Sequence, residues 1–113
     1  MRREYTPAEY RQIVASLMRE KEWMQQVIDL AKLHGWMIYH THNSMRSEPG
    51  FPDLILLHPL KPEKGVLVRE LKTVKGRLTK EQMRWLAVFA ASGANTDVWR
   101  PPDWEEVVET LSA

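Results

Sequence analysis

Two short apolar runs joined by a turn place the strongest constraint on the fold of this chain. The first run, residues 54–57, follows Asp53, and the second, residues 66–71, contains Glu70. The short connector between them, which holds two prolines and a glycine, predicts an antiparallel hairpin. Because no polar residue interrupts residues 54–57, we expect that strand to be buried on both faces. Antiparallel pairing places the start of one strand beside the end of the next, so Asp53 and Glu70 are expected at the same end of the hairpin.

The residues at that end are suited to metal-dependent phosphate chemistry. Glu70 and Lys72 share one face of their strand, and Asp53 joins them if the register turns that face toward it. Carboxylate oxygens suit magnesium, which accepts few protein ligands and keeps several waters. A lysine beside the metal can orient the attacking water or offset charge on the phosphate. A surface Glu–Lys pair and a turn aspartate stay open as the alternative, since Pro-Asp and Glu-x-Lys are each common by chance.

Size and composition narrow the class of protein. A chain of 113 residues is expected to form one domain over residues 1–113. The formal net charge of +1 neither requires nor excludes a nucleic-acid partner. Without cysteine there is no disulfide and no thiolate zinc site, which fits a cytoplasmic location. No apolar stretch approaches the roughly 18 residues of a membrane span, so we expect no membrane association.

Capping signals and glycines divide the rest of the chain. A capping box at Thr6 starts a helical pattern that runs toward Gly35, as one helix or as two with a break near residues 18–21. A second capping box at Thr79 starts another helix. The predicted order is α-β-β-β-α-β-α, which makes this an α/β domain. The remaining elements are strands at residues 36–42 and 96–99 and a final helix capped by Asp103.

Helical phase selects Glu20 as a third acid. At about 100° per residue, Glu20 lies within about 40° of the apolar positions Met24, Val27 and Ala31. Glu22 points away from that stripe. A buried charge without a partner is unfavourable, and a metal site would provide the partner. The alternative is that Glu20 lies at a helix junction and faces water, with Glu22 as the second choice for the helix acid.

Other polar residues around the proposed site are candidates for contacts with a substrate. The side chain of Gln82 either satisfies a backbone N–H of its capping box or lies beside the site. His40 and His42 alternate onto one face of their strand and are interpreted as substrate-contacting or half-buried. The five tryptophans are interpreted as mostly core rather than as base-stacking platforms. The residues expected to contact nucleic acid, each of which could equally be an ordinary surface group, are His42, Ser44, Arg46, Lys75, Arg77, Lys80 and Arg84.

Taken together, these segments resemble the PD-(D/E)xK nuclease superfamily, and within it the VRR-NUC branch and its small, phage-type, stand-alone members. The resemblance covers most of the chain from about Glu20 onward and implies that residues 1–19 are a helical N-terminal extension. It implies a restriction-endonuclease-like fold, with a mixed central sheet flanked by helices. The segments that carry it are Glu20-Lys21-Glu22-Trp23, His40-Thr41-His42-Asn43-Ser44, Gly50-Phe51-Pro52-Asp53-Leu54, Glu70-Leu71-Lys72, Gly76-Arg77-Leu78-Thr79-Lys80-Glu81-Gln82, and residues 93–104.

The same resemblance assigns roles to the candidate residues. It implies Mg²⁺, or Mn²⁺ as a substitute, held by Asp53, Glu70 and the backbone carbonyl of Leu71, with no organic cofactor. Lys72 would assist the attacking water. Two further residues complete the implied catalytic set, Glu20 as the helix acid and Gln82 beside the site.

The function expected from these observations is a metal-dependent DNA endonuclease that is selective for four-way (Holliday) junctions or other branched DNA, as in DNA repair. The resemblance also implies a homodimer, because two active sites related by a two-fold axis match the symmetry of a four-way junction. One alternative is a non-catalytic nucleic-acid-binding or assembly module that retains the nuclease fold. Another is a small protein-interaction domain without salt-sensitive DNA affinity.

Overall fold

The computed structural model describes residues 4–41 and 48–113 as a mixed sheet flanked by helices. The chain follows the predicted order, with the first helix divided in two. Within the described residues, no helix is both long and apolar enough to cross a bilayer. In chain order the elements are α1 (Pro7–Leu17), α2 (Glu20–Leu33), β1 (Met37–His40), β2 (Leu54–Leu57), β3 (Leu67–Leu71), α3 (Lys80–Ala91), β4 (Asn95–Trp99) and α4 (Trp104–Ser112).

The capping signals act where the sequence places them. The Thr6 hydroxyl accepts a hydrogen bond from the Glu9 N–H, and the Glu9 carboxylate accepts one from the Thr6 N–H, which completes the box at the start of α1. Helix α1 ends because Met18 adopts an extended backbone, with φ −68° and ψ 130°. Helix α2 then starts at Glu20, so the break predicted near residues 18–21 is confirmed.

The four strands lie in the order β1-β2-β3-β4. Strand β2 pairs antiparallel with both β1 and β3, which confirms the predicted hairpin, and β3 pairs parallel with β4. The register of the hairpin pairs Leu54 with Arg69 and Leu56 with Leu67. A sheet with both kinds of pairing is the mixed central sheet expected from the sequence.

The core contains side chains from α2, α4 and the sheet. Trp23 and Val27 of α2 are fully buried in one cluster with strand residues such as Leu54 and with Val107 and Leu111 of α4. Two tryptophans also fix the layers by hydrogen bonds. These bonds run from Trp23 Nε1 to the carbonyl of Trp99, at 2.9 Å, and from Trp36 Nε1 to the carbonyl of Leu111, at 2.8 Å. Trp23, Trp36 and Trp99 are buried, whereas Trp85 and Trp104 are half-buried, so the prediction that the tryptophans are mostly core is confirmed.

The prediction that β2 is buried on both faces is wrong. Leu54 and Leu56 are fully buried, but Ile55 is half-buried and Leu57 is 45% exposed. Leu57 pairs with Met37 of the edge strand β1, which is 60% exposed. Helix α3 packs against β4, which forms the edge of the sheet opposite to β1. One face of β2 therefore stays partly exposed to solvent. An apolar run in the sequence does not indicate which face of a strand is left without a helix packed against it.

Candidate active site

The hairpin register brings Asp53 and Glu70 together. The last registered pair is Leu54 with Arg69, so one further step places Asp53 opposite Glu70. Directly opposite residues of an antiparallel pair project onto the same face. Asp53 is fixed there, because its Oδ2 accepts a hydrogen bond of 2.8 Å from the N–H of Leu71. The condition that the sequence left open, a register that turns the face of Glu70 toward Asp53, is met.

Glu70 is the most buried acid at this point. Its side chain is only 2% exposed, and its Oε2 atom is buried without a hydrogen-bond partner. Burial, followed by a hydrogen bond to the Asp53 carboxyl and the charge of Asp53, raises the pKa of Glu70 to about 9. Two carboxyls that share a site cannot both stay ionised unless a cation lies with them, so without a cation one of them holds a proton. The pair therefore has the electrostatic character of a cation site.

Two further charges act on Glu70. The ammonium of Lys72 lowers the pKa of Glu70, while the carboxylate of Glu20 raises it. Both effects are smaller than those of burial and of Asp53. Lys72 is half-buried immediately after β3, on the same face as Glu70. The structure thus groups Glu20, Asp53, Glu70 and Lys72 in one electrostatic environment.

The placement of Glu20 corrects part of the sequence argument. Glu20 is the first residue of α2 and is exposed, so it does not lie within the core-facing stripe as expected. The physical reason is that Glu20 lies at the junction of α1 and α2, where Met18 and Arg19 are extended, so it faces water as in the alternative interpretation. Glu22 instead forms an ion pair with Arg19, with 2.7 Å between Arg19 Nε and Glu22 Oε1. Of the two helix acids, Glu20 is the one whose charge acts on Glu70.

Gln82 both caps α3 and contacts the acid pair. Its Oε1 accepts a hydrogen bond of 2.8 Å from the N–H of Thr79, and its Nε2 lies 3.4 Å from Oε1 of Glu70. The Thr79 hydroxyl accepts the reciprocal bond from the N–H of Gln82. The two interpretations of Gln82 that the sequence left open are therefore both seen in its contacts.

Arg100 is a positioning residue that the sequence argument missed. Its Nη1 atom donates hydrogen bonds of 2.6 Å to the carbonyls of Thr73 and Gly76, which lie in the loop directly after Lys72. The backbone N–H of Arg100 donates to the Asp103 carboxylate, which fixes the arginine in turn. No local pattern identifies such a residue, because its partners lie more than 20 positions earlier in the chain.

Gly50 is a second position whose importance the sequence argument missed. It has φ +85°, and a Cβ built on it would lie 2.4 Å from the backbone carbon of Glu81 and 2.6 Å from the nitrogen of Gln82. The segment before Asp53 therefore packs backbone against backbone on the first turn of α3. A glycine beside Pro-Asp is the available signal, since glycine permits both this φ and this close approach.

The residues expected to contact nucleic acid fall into two groups. Lys75, Arg77, Lys80 and Arg84 are all exposed on the loop after β3 and the first turns of α3, where they can reach a bound polyanion. Three others, His42, Ser44 and Arg46, lie outside the described residues. The role of both groups in binding stays a prediction.

The donor set fits a divalent cation. In residues 4–41 and 48–113, no three His, Cys, Asp or Glu side chains lie together as a complete metal site. The protein would contribute two carboxylates, from Asp53 and Glu70, and the adjacent backbone carbonyl of Leu71. Magnesium is commonly held by one or two carboxylates, with waters and substrate phosphate completing its shell. The unpartnered Oε2 of Glu70 is the atom that such a cation would satisfy.

Comparison with known proteins gives concordant matches. A family model described as the VRR-NUC domain matches residues 2–101. A solved structure described as a VRR_NUC domain superposes with a TM-score of 0.64 at 21% identity, covering 80% of this chain and 94% of the other, which shows a shared fold. The Fanconi-associated nuclease 1 homolog of Caenorhabditis elegans is 45% identical over 56 residues, which are 50% of this chain and 6% of that protein. This chain thus matches only a small part of that relative.

Proposed function

Because the chain belongs to the VRR-NUC domain family of nucleases, we propose that it is a magnesium-dependent endonuclease that hydrolyses phosphodiester bonds within DNA. The observation that carries this proposal is the pairing of the half-buried Asp53 carboxyl with the buried Glu70 carboxyl, which has one oxygen without a hydrogen-bond partner. A purely structural pair of this kind would be unfavourable, because burying a polar oxygen without a hydrogen-bond partner costs free energy. A bound cation offsets that cost and gives the pair a chemical use.

Each residue of the site has a part in the proposed reaction. Asp53 and Glu70, with the carbonyl of Leu71, would hold Mg²⁺, or Mn²⁺ in its place, which when bound lowers the pKa of a water and polarises the phosphate. The Lys72 ammonium would orient the attacking water and offset the negative charge that builds up on the phosphate oxygens. Glu20 and Gln82 would fix the position and charge of Glu70. The oxygen of the attacking water bonds to phosphorus while the opposite P–O bond breaks; the water releases one proton to solvent, and the leaving oxygen takes one proton from solvent.

The substrate proposed is branched DNA, such as a four-way junction. Exposed basic residues on the loop after β3 and on α3, among them Lys75, Arg77 and Lys80, would contact the phosphates of the substrate. A homodimer with two sites related by a two-fold axis would match the symmetry of such a junction. Size-exclusion chromatography with light scattering tests the dimer independently of activity.

A cleavage panel tests the proposed function. Labelled linear, flapped and four-way DNA would be incubated with the chain in Mg²⁺, Mn²⁺ or EDTA, together with Asp53→Ala, Glu70→Ala and Lys72→Ala variants. We expect metal-dependent cutting of branched DNA by the wild type, with none by the variants, which should remain folded. Unimpaired cutting by Asp53→Ala in Mg²⁺ would overturn the mechanism. Salt-sensitive DNA binding without cleavage of any substrate would favour the non-catalytic alternative instead.

A further inference from the structure

A cavity of ≈ 460 Å³ lies between α3 and the segment that leads to Asp53. It has room for one flat ring system and is separate from the carboxyl pair. Its walls combine one aromatic side chain, two further apolar residues, two acids and one base. The lining residues are Glu48, Pro49, Glu81, Arg84, Trp85 and Val88.

The cavity adjoins the candidate active site through both of its walls. On α3, Glu81 directly precedes Gln82, whose amide contacts Glu70. On the other wall, Gly50 follows Pro49 and packs against the backbone of Glu81 and Gln82. Gln82 and Gly50 thus separate the cavity lining from the carboxyl pair by one residue on each wall, so a nucleotide next to one bound at the pair is the candidate occupant.

The aromatic wall is held rigid. Trp85 Nε1 donates a hydrogen bond of 3.1 Å to the carbonyl of Pro49. The ring of Phe51 meets the Trp85 ring edge to face at 5.2 Å, and Phe89 lies 6.0 Å away at a tilt. Trp85 is nevertheless only half-buried, and its remaining surface lines the cavity. An indole fixed by its neighbours and open on one side can accept a stacked ring with little loss of entropy.

The chemistry of the lining favours a nucleobase over a phosphate. The carboxylates of Glu48 and Glu81 repel an anion, but they can accept hydrogen bonds from the N–H groups on a base edge. Trp85 and Val88 provide the apolar surface that a base face needs, and every base has such a face. Arg84 adds one cation that can contact the phosphate of the same nucleotide. The lining thus matches one whole nucleotide with its base inside.

We propose that this cavity binds one unpaired nucleobase of the DNA substrate beside the scissile phosphate. The inference rests on the proposed function and deepens it. A base in an intact duplex is stacked and paired, so it can enter only after extrusion, which costs a few kcal/mol and is easiest where the DNA is already unpaired. An unpaired nucleotide, such as one in a flap at a branch point, enters without that cost. The cavity therefore gives a physical basis for selectivity toward branched DNA with unpaired nucleotides, over a fully paired four-way junction.

The test compares one side chain at two neighbouring positions of α3. Val88 is 56% exposed and lines the cavity, so Val88→Trp fills it without disturbing the core. Ala87 is exposed and does not line the cavity, so Ala87→Trp is the matched control. Each protein would be titrated in EDTA by fluorescence anisotropy with branched DNA in which one abasic residue is moved nucleotide by nucleotide across the branch point.

For wild type and Ala87→Trp, we expect removal of one particular base to weaken binding roughly five- to hundred-fold, the range of base–aromatic stacking. Val88→Trp should bind the intact DNA as weakly as wild type binds the abasic DNA, with no further loss when the base is removed. Equal sensitivity of all three proteins, or no sensitivity in any, would overturn the proposal.

Cleavage of the same DNA in Mg²⁺ separates the two proposals. Cleavage that does not depend on any base would contradict the proposed base-binding cavity and still support the proposed nuclease activity. Base-dependent binding without cutting would support the cavity and contradict the proposed catalysis.

Discussion

The side-chain amide of Gln82 joins the start of α3 to the carboxylate of Glu70. One end of the amide accepts a hydrogen bond from the N–H of Thr79, and the other lies 3.4 Å from Glu70 Oε1. The capping bond fixes the rotamer of Gln82, so the NH₂ group is directed at Glu70 before any ligand binds. A local capping motif thereby orients a buried acid that lies 12 positions earlier in the chain.

Variants on the two sides of this capping box should separate stability from activity. Thr79→Ala removes the cap and should lower the free energy of unfolding by about 1 kcal/mol, with little effect on cleavage. Gln82→Leu removes the cap and the contact with Glu70, so we expect a similar loss of stability together with a roughly 10- to 100-fold loss of activity. Urea unfolding and initial cleavage rates measure the two effects. Equal activity losses in both variants would contradict the separate role of Gln82.

The raised pKa of Glu70 predicts how stability depends on pH without metal. Its pKa is raised from an ordinary value of 4.5 to about 9, so the folded state keeps a proton that the unfolded chain releases. That contribution to stability is fully present below about pH 4.5 and is lost as pH rises through about 9. Urea unfolding in EDTA should therefore show wild-type stability declining across this range.

Glu70→Gln should flatten that decline, because the amide does not titrate. At pH 8 in EDTA we expect the variant to match or exceed the wild type, by up to about 1–3 kcal/mol, the cost of an unsatisfied buried group. Added Mg²⁺ should stabilise the wild type by mass action and leave the variant unchanged. Parallel pH profiles for the two proteins would show that Glu70 is not the group responsible.

The parts of the site that the sequence predicted are those set by local rules. The turn between residues 57 and 67 fixes the hairpin, and the hairpin alone places Asp53 opposite Glu70. The Thr79 capping box likewise acts within four residues. Such contacts are specified by turn chemistry and backbone hydrogen bonds, which depend on residue types close together in the chain.

The parts that sequence reasoning missed depend on packing between distant segments. Arg100 supports the loop after Lys72 from the far end of β4, and Gly50 is required by the backbone of α3. The exposure of Leu57 depends on where α3 packs. Helical phase placed Glu20 on the apolar stripe, but phase says nothing about where the helix starts, and as the first residue of α2 Glu20 is exposed.

Glu20 and Glu22 offer a direct test of the helix acid. The charge of Glu20 acts on Glu70, whereas Glu22 is paired with Arg19 at the surface. We expect Glu20→Gln to reduce cleavage roughly 10-fold or more, and Glu22→Gln to leave it nearly unchanged. Both variants should unfold within about 0.5 kcal/mol of the wild type, since both residues are exposed. A larger activity loss for Glu22→Gln would reverse the assignment.

Substitutions at two glycines with similar φ angles distinguish the cost of backbone strain from the cost of close packing. Gly50 and Gly65 have φ +85° and +70°, but only Gly50 has atoms in the way of a Cβ, with the nearest at 2.4 Å. Gly65→Ala should therefore lose about 1–3 kcal/mol from its backbone conformation alone, since φ 70° with ψ −160° is essentially restricted to glycine, and it should keep its activity.

Gly50→Ala should lose more stability than Gly65→Ala and should also impair cleavage. Its Cβ would push against the backbone of Glu81 and Gln82, which would displace the amide of Gln82 from Glu70. Urea unfolding and cleavage rates, measured where both variants remain folded, would check this. If the two variants lost equal stability and both cut DNA normally, the contact between Gly50 and α3 would not position the site. A selective loss of cleavage in Gly50→Ala, rescued in neither Mg²⁺ nor Mn²⁺ excess, would show that the geometry around Glu70 depends on that contact.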